Sequence, residues 1–254
     1  MRGMVLPVVM VAALACQPRA AREQRRSILA AASASAVPGV PENQRGGVRM
    51  EPFDPRATPP TFVMLGGPRG PGRLVFLHGL CGHGLGYAQA FQFSAATKGT
   101  LIAPQGDVSC GGVWSKWSAN VEALDARIVA TFRALGETDP IDDVVVLGMS
   151  QGATRAVALA RKYPQRYTRL VAMDGPSAVA AGGLSKLRAA VFMAGERDRQ
   201  DLMRQSQRAL AASGVPATFM LLPEATHGAM GPVPEKTMGQ ALDFLFQAQT
   251  AAPR

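Results

Sequence analysis

The sequence predicts an α/β domain, a mostly parallel central sheet flanked by helices on both faces with no large lid domain. Three observations lead there. From Thr61 on, short apolar runs alternate with stretches of helical period, and strands alternating with helices call for such a sheet. The chain of 254 residues is long enough to bury a sizeable core in one domain. Between the apolar runs ending at Met173 and starting at Ala189 there are about fifteen residues, enough for a loop and a short helix but not for a lid.

Taken in order, residues 62–65 form a first short strand, and a Gly-Pro turn over 66–72 separates it from a buried-type strand at 73–77, which His78-Gly79 ends. A helix is expected over 87–97 and a third strand over 100–103, closed by Pro104-Gln105-Gly106-Asp107. SCGGVWSKW (109–117) reads as a loop, and Ser118 as the cap of a helix running to about residue 136. Strand 144–147 precedes helix 153–162. Strands follow at 169–173 and 189–194, then helix 201–213, strand 218–222 and a last helix over 236–247.

The N-terminus has a different character. Arg2 precedes an apolar run of 12 residues, Met4 to Ala15, too short to span a bilayer and suited to a signal-peptide core over 1–15. The small residues Ala13 and Ala15 suit cleavage before Cys16. That Ala13-Leu14-Ala15-Cys16 run resembles the bacterial lipoprotein box, with alanine where the box more often has leucine. The resemblance implies lipid on the Cys16 thiol and a membrane-anchored protein facing the periplasm; ordinary secretion is the alternative. Residues 16–60, rich in Ala, Arg, Pro, Gly and Ser, read as a flexible tether, and 61–250 as the folded domain. The net charge of +9 is weighted to this tether, at Arg19, Arg22, Arg25, Arg26, Arg45, Arg49 and Arg56. No recognition-helix, zinc-finger or aromatic-interleaved basic pattern accompanies it, so nucleic acid is not an expected partner. With Cys16 lipidated, Cys81 and Cys110 remain as an even pair in an oxidising compartment, either a disulfide or two free thiols.

The chemistry centres on Gly148-Met149-Ser150-Gln151-Gly152, a G-x-S-x-G pentapeptide with a strand before it and a helix after it, the context of a nucleophile elbow. The turn is too tight for side chains at 148 and 152, and it leaves the serine standing over a helix N-terminus that favours negative charge. A serine hydroxyl needs a base. Of the three histidines, His78 and His83 lie upstream and only His227 follows Ser150, as the order Ser, acid, His requires. The acid belongs between them, after a strand. Asp198, just past strand 189–194, is the first candidate and Asp174 the second, ahead of Glu196 and Asp201. Acyl transfer also needs oxyanion donors, here the backbone N–H of Gln151 and that of Leu80 in the loop after residue 77. His78 is expected to hold that loop by hydrogen bonding.

Phe76-Leu77-His78-Gly79-Leu80, the G-x-S-x-G pentapeptide, Gly195-x-x-Asp198 and Thr226-His227-Gly228 together resemble the α/β-hydrolase superfamily, and most closely its small lidless carboxylesterase, acyl-protein thioesterase and dienelactone hydrolase group. The resemblance covers about residues 62–247. It implies the α/β-hydrolase fold, a triad of Ser150, Asp198 and His227, and Leu80 and Gln151 as oxyanion donors. In that fold the strands before His78 and Pro104 are neighbours, which implies adjacent loops for Cys81 and Cys110 and a disulfide pinning the oxyanion loop to the tryptophan-bearing loop. The expected activity is a serine esterase acting on a small-molecule ester, with Trp114 and Trp117 as apolar walls for an acyl or aryl group and with no metal or other cofactor. A peptidase or amidase with the same triad, and a non-catalytic binding lipoprotein, are the alternatives.

Overall fold

The computed structural model describes residues 49–54, 58–66 and 72–248; the predicted signal segment and Cys16 lie outside them. The chain begins with β1 (Glu51–Pro52), β2 (Thr61–Met64), β3 (Gly72–Leu77), α1 (Gly84–Ala88), a 3-10 turn (Gln89–Phe91), α2 (Gln92–Ala96) and β4 (Gly99–Pro104). A hairpin of β5 (Val108–Gly111) and β6 (Trp114–Lys116) follows, then α3 (Val121–Ala134), β7 (Val144–Met149), α4 (Gln151–Lys162) and β8 (Tyr167–Met173). The chain continues through β9 (Ala189–Gly195), α5 (Asp201–Ala212), β10 (Ala217–Leu222) and α6 (Pro234–Gln247).

Eight strands form one sheet in the order β1-β2-β4-β3-β7-β8-β9-β10. Every pairing from β4 to β10 is parallel, and β1 and β2 add an antiparallel edge. Side chains alternate across it. Val75, Leu77, Val144 and Val146 pack under α3, α4 and α5 with Ile128, Phe132, Leu159 and Leu210. Leu74, Phe76, Val145 and Leu147 pack on the opposite face with Phe91, Met238, Leu242 and Leu245. Residues facing either way are buried, which is why these strands read as unbroken apolar runs. No helix of the described residues is long and apolar enough to cross a membrane.

Four local expectations are corrected. The folded unit begins before residue 61: β1 pairs with β2, and Met50 is buried in the core. The helix expected over 87–97 is broken at Phe91, because buried Glu235 of α6 accepts the N–H groups of Phe93 and Ser94 at 2.9 and 2.8 Å and so starts a new helix there. Ser118 is not a helix cap. Asn120 caps α3, accepting the Ala123 N–H at 2.9 Å, while Ser118 donates its own N–H and hydroxyl to the Asp107 carboxylate. The segment 109–117 is largely the β5–β6 hairpin, turned by Gly111 and Gly112 at φ 98° and 59°, where glycine carries no steric penalty.

Candidate active site

Ser150 stands between β7 and α4 with φ 52° and ψ −116°, a strained backbone for a residue with a side chain. Its neighbours enforce the turn. A Cβ on Gly148 would lie 2.3 Å from the Gly152 carbonyl oxygen, and one on Gly152 would lie 2.0 Å from the Leu77 carbonyl oxygen of β3. The second glycine therefore serves the approach of the elbow to the neighbouring strand. The Ser150 N–H donates to the Met173 carbonyl at 2.8 Å, locking the elbow to β8 as well.

Three loop ends converge here. Ser150 Oγ donates to His227 Nε2 at 3.1 Å, and His227 Nδ1 donates to Asp198 Oδ2 at 2.7 Å. Asp198 lies on the turn after β9, closed by its own N–H to the Gly195 carbonyl at 3.0 Å. His227 lies on the loop after β10, and Tyr87 of α1 donates its hydroxyl to the Gly228 carbonyl at 2.8 Å to hold that loop. The chain thus brings together the serine, acid and histidine that the order of motifs singles out. Glu196 and Asp201 are occupied elsewhere, the first accepting the Glu224 N–H and the second paired with Arg199. Asp174 is close by but differently engaged: its Oδ1 accepts the Gly195 N–H at 2.9 Å. Asp174, Asp198 and His227 offer ligand atoms within 4.8 Å of one another. A metal ion there would have to displace the His227–Asp198 hydrogen bond.

The loop after β3 closes the site from the other side. Gly79 lies against Ser150: a Cβ there would be 3.4 Å from Ser150 Cβ. Among the described residues the N–H groups of Leu80 and Gln151 have no hydrogen-bond partner, which leaves both free to donate. His78 is fully buried. Its Nδ1 donates to the Gly79 carbonyl at 2.8 Å, its Nε2 accepts the Gly106 N–H at 2.9 Å, and burial lowers its pKa to about 4, so it is neutral. It holds the loop, as expected of it.

Three further ties escape sequence reasoning. Gln105 accepts the Gly84 N–H and donates from Nε2 to the Gly82 carbonyl and to Ser115 Oγ. The Ser115 N–H donates to Gly82 in an isolated antiparallel bridge. The Gln151 side chain exchanges two hydrogen bonds with the backbone of Trp117. The signal for the first lay in Gln105 itself, a polar side chain closing an apolar strand. Cys81 and Cys110 are joined by a disulfide across the same two segments.

The tryptophans separate. Trp117 is buried, its ring 4.8 Å from that of His78 and its Nε1 donating to the His78 carbonyl at 2.7 Å. This corrects its expected place as a substrate wall, since its apolar surface is already spent inside the loop cluster. Trp114, on β6, is half-buried, with the His83 ring 6.1 Å away and the Phe62 ring of β2 5.1 Å from that of His83. An apolar groove of about 160 Å³, lined by Ala153, Val157, Pro176, Val179 and Met203, runs beside α4 under the short connection between β8 and β9.

The architecture is the α/β-hydrolase fold, with Ser150, Asp198 and His227 on the turns and loops at the carboxyl ends of β7, β9 and β10. Solved structures share it. The chain is similar to an arylesterase at 16% identity and TM-score 0.59, covering 89% of this chain and 92% of that one. It is similar to a putative lipase from Acinetobacter baumannii at 13% identity and TM-score 0.57, covering 83% and 95%. A predicted CIB-like hydrolase from Thermoplasma acidophilum matches at 16% identity and TM-score 0.54, covering 79% and 98%. No protein-family model and no curated protein sequence matches the chain.

Proposed function

We propose that the protein is a serine hydrolase, and specifically a carboxylic-ester hydrolase that works through an acyl-enzyme on Ser150. The observation that carries this is the continuous hydrogen-bonded line from Ser150 Oγ through His227 to Asp198. His227 Nε2 takes the hydroxyl proton as Oγ attacks the ester carbonyl, and Asp198 holds the imidazole with Nδ1 protonated. The N–H groups of Leu80 and Gln151 stabilise the oxyanion. His227 then protonates the departing alcohol, and in the second half it activates the water that releases the acid. An esterase is favoured over a peptidase because the connection between β8 and β9 is short and Ser150 is only partly buried, with no enclosing domain over it among the described residues. The arylesterase and lipase among its structural neighbours point the same way. Trp114 is the candidate wall for the apolar part of the ester.

A fluorophosphonate probe tests this. The wild-type protein is expected to label and Ser150→Ala to remain unlabelled; equal labelling of the two, or none, overturns the catalytic reading in favour of a binding protein. A panel of p-nitrophenyl esters run beside peptide p-nitroanilides then separates esterase from peptidase.

The same proposal places the protein outside the cytoplasm, tethered through lipid on Cys16. Metabolic labelling with an alkyne fatty acid is expected to mark the wild-type chain and not Cys16→Ser.

A further inference from the structure

The geometry points to Asp174 as a positioning residue of the site, a second buried carboxyl whose charge state is coupled to that of the His227 imidazole. This rests on the proposed hydrolase reading and deepens it. Asp174 follows β8, whose last carbonyl, Met173, accepts the N–H of Ser150. Its backbone takes φ 47°, a conformation that residues with side chains seldom adopt. The strained turn aims the carboxyl under the acid loop, where Oδ1 accepts the N–H of Gly195, the residue whose own carbonyl closes the turn bearing Asp198. One side chain thus connects the elbow strand to the acid loop.

The other oxygen is what a purely structural residue would not need. Asp174 is 2% exposed, and Oδ2 is buried with no partner in good hydrogen-bonding geometry among the described residues, the Gly228 N–H beside His227 acting on the carboxylate only weakly. An ionised carboxylate with a bare buried oxygen is unfavourable, whereas a protonated one carries no charge to desolvate. The charged groups that face it are Asp198, on the loop after β9, and His227, on the loop after β10, with ligand atoms within 4.8 Å. Burial, followed by the like charge of Asp198, raises the Asp174 pKa to about 6, against the Gly195 hydrogen bond, the attraction of His227 and the Gly228 N–H, which lower it. Below that pH, Asp198 alone faces the imidazole. Above it, two carboxylates do, and the imidazolium that forms as Ser150 loses its proton is favoured further. The charge on Asp174 therefore acts on the imidazole through space, and no proton need travel between Asp174 and the substrate.

Asp174→Asn is the test, because it keeps an acceptor for Gly195 and removes the charge. The acid limb of the kcat/KM profile on a p-nitrophenyl ester is expected to move down by about half a pH unit or more, since the imidazole loses a neighbouring negative charge. A variant with lower kcat but a superimposable profile shows a structural role alone and overturns the proposal. The imidazole resonance of His227 in Ser150→Ala protein reads the same coupling without turnover. It is expected to titrate at lower pH when Asp174→Asn is added, and an unmoved midpoint overturns the proposal. Should Asp174→Asn not fold, the resonance in Ser150→Ala alone decides. It is expected to show a second inflection near pH 6, where Asp174 ionises, and a single inflection overturns it. Failure of the hydrolase reading looks different: Ser150 does not label with fluorophosphonate while the imidazole titration stays intact.

Discussion

Two buried groups at the catalytic end set opposite pH limits on stability. The folded-state pKa of His78, near 4, lies below that of a free imidazole. Its neutral form therefore contributes stability that is present above about pH 6.5 and is lost as pH falls through 4, by on the order of 3 kcal/mol in full. Asp174 is raised instead, so its contribution is complete below about pH 4 and is lost as pH rises through about 6. Asp174→Asn is thus expected to raise the melting temperature at pH 8 and to change it little at pH 4, measured by differential scanning fluorimetry. Asparagine also suits the positive φ at this position. Neither effect belongs to a residue type; each comes from the loss of water around one particular ring or carboxyl.

At the scale of elements, the β5–β6 hairpin braces the loop after β3, the proposed oxyanion loop. The His78–Gly106 hydrogen bond, the Gln105 side chain, the Gly82–Ser115 bridge and the Cys81–Cys110 disulfide all join the segment after β3 to the segment after β4. The bridge sits two residues along from Leu80, whose N–H has to be fixed to serve an oxyanion as proposed. The disulfide closes a separation of 29 residues, which corresponds to roughly 3–4 kcal/mol by chain entropy. Cys81→Ser with Cys110→Ser is expected to lower stability to urea by about that amount. It should also lower kcat on ester substrates more than it raises KM, because a looser donor weakens transition-state binding above all. Unchanged kcat in the folded double variant would show that the remaining three ties suffice.

For the whole molecule, the sheet extends past the boundary that composition alone suggests. β1 covers the outer edge of β2, the Phe53 N–H donates to Thr61, and Met50 reaches the core. A chain starting at residue 61 is expected to melt at lower temperature and to aggregate more readily than one starting at 49, because it bares the β2 edge and removes a buried side chain. Comparing the two by thermal melt and light scattering checks this.

The sequence by itself determined the alternation of strands and helices and the tight turn at Ser150, and it singled out Asp198 and His227 as the candidate partners that the fold brings to Ser150. These follow from local rules: uninterrupted apolar runs, two glycines that no other residue can replace in a tight turn, and a chain order that leaves one histidine. The tertiary structure alone decided that Trp117 turns inward to His78, that Glu235 of a distant helix breaks the 87–97 helix, that Asn120 rather than Ser118 caps α3, and that Asp174 lies beside Asp198 and His227. Three of these depend on partners well apart in sequence, from 21 residues for Asp174 and Gly195 to 142 for Phe93 and Glu235, and the choice of cap turns on Asp107, 11 residues away, which draws Ser118 aside. Such contacts leave no periodic trace in the chain, because the free energy that selects them comes from desolvation and hydrogen bonding among groups that only the fold brings together.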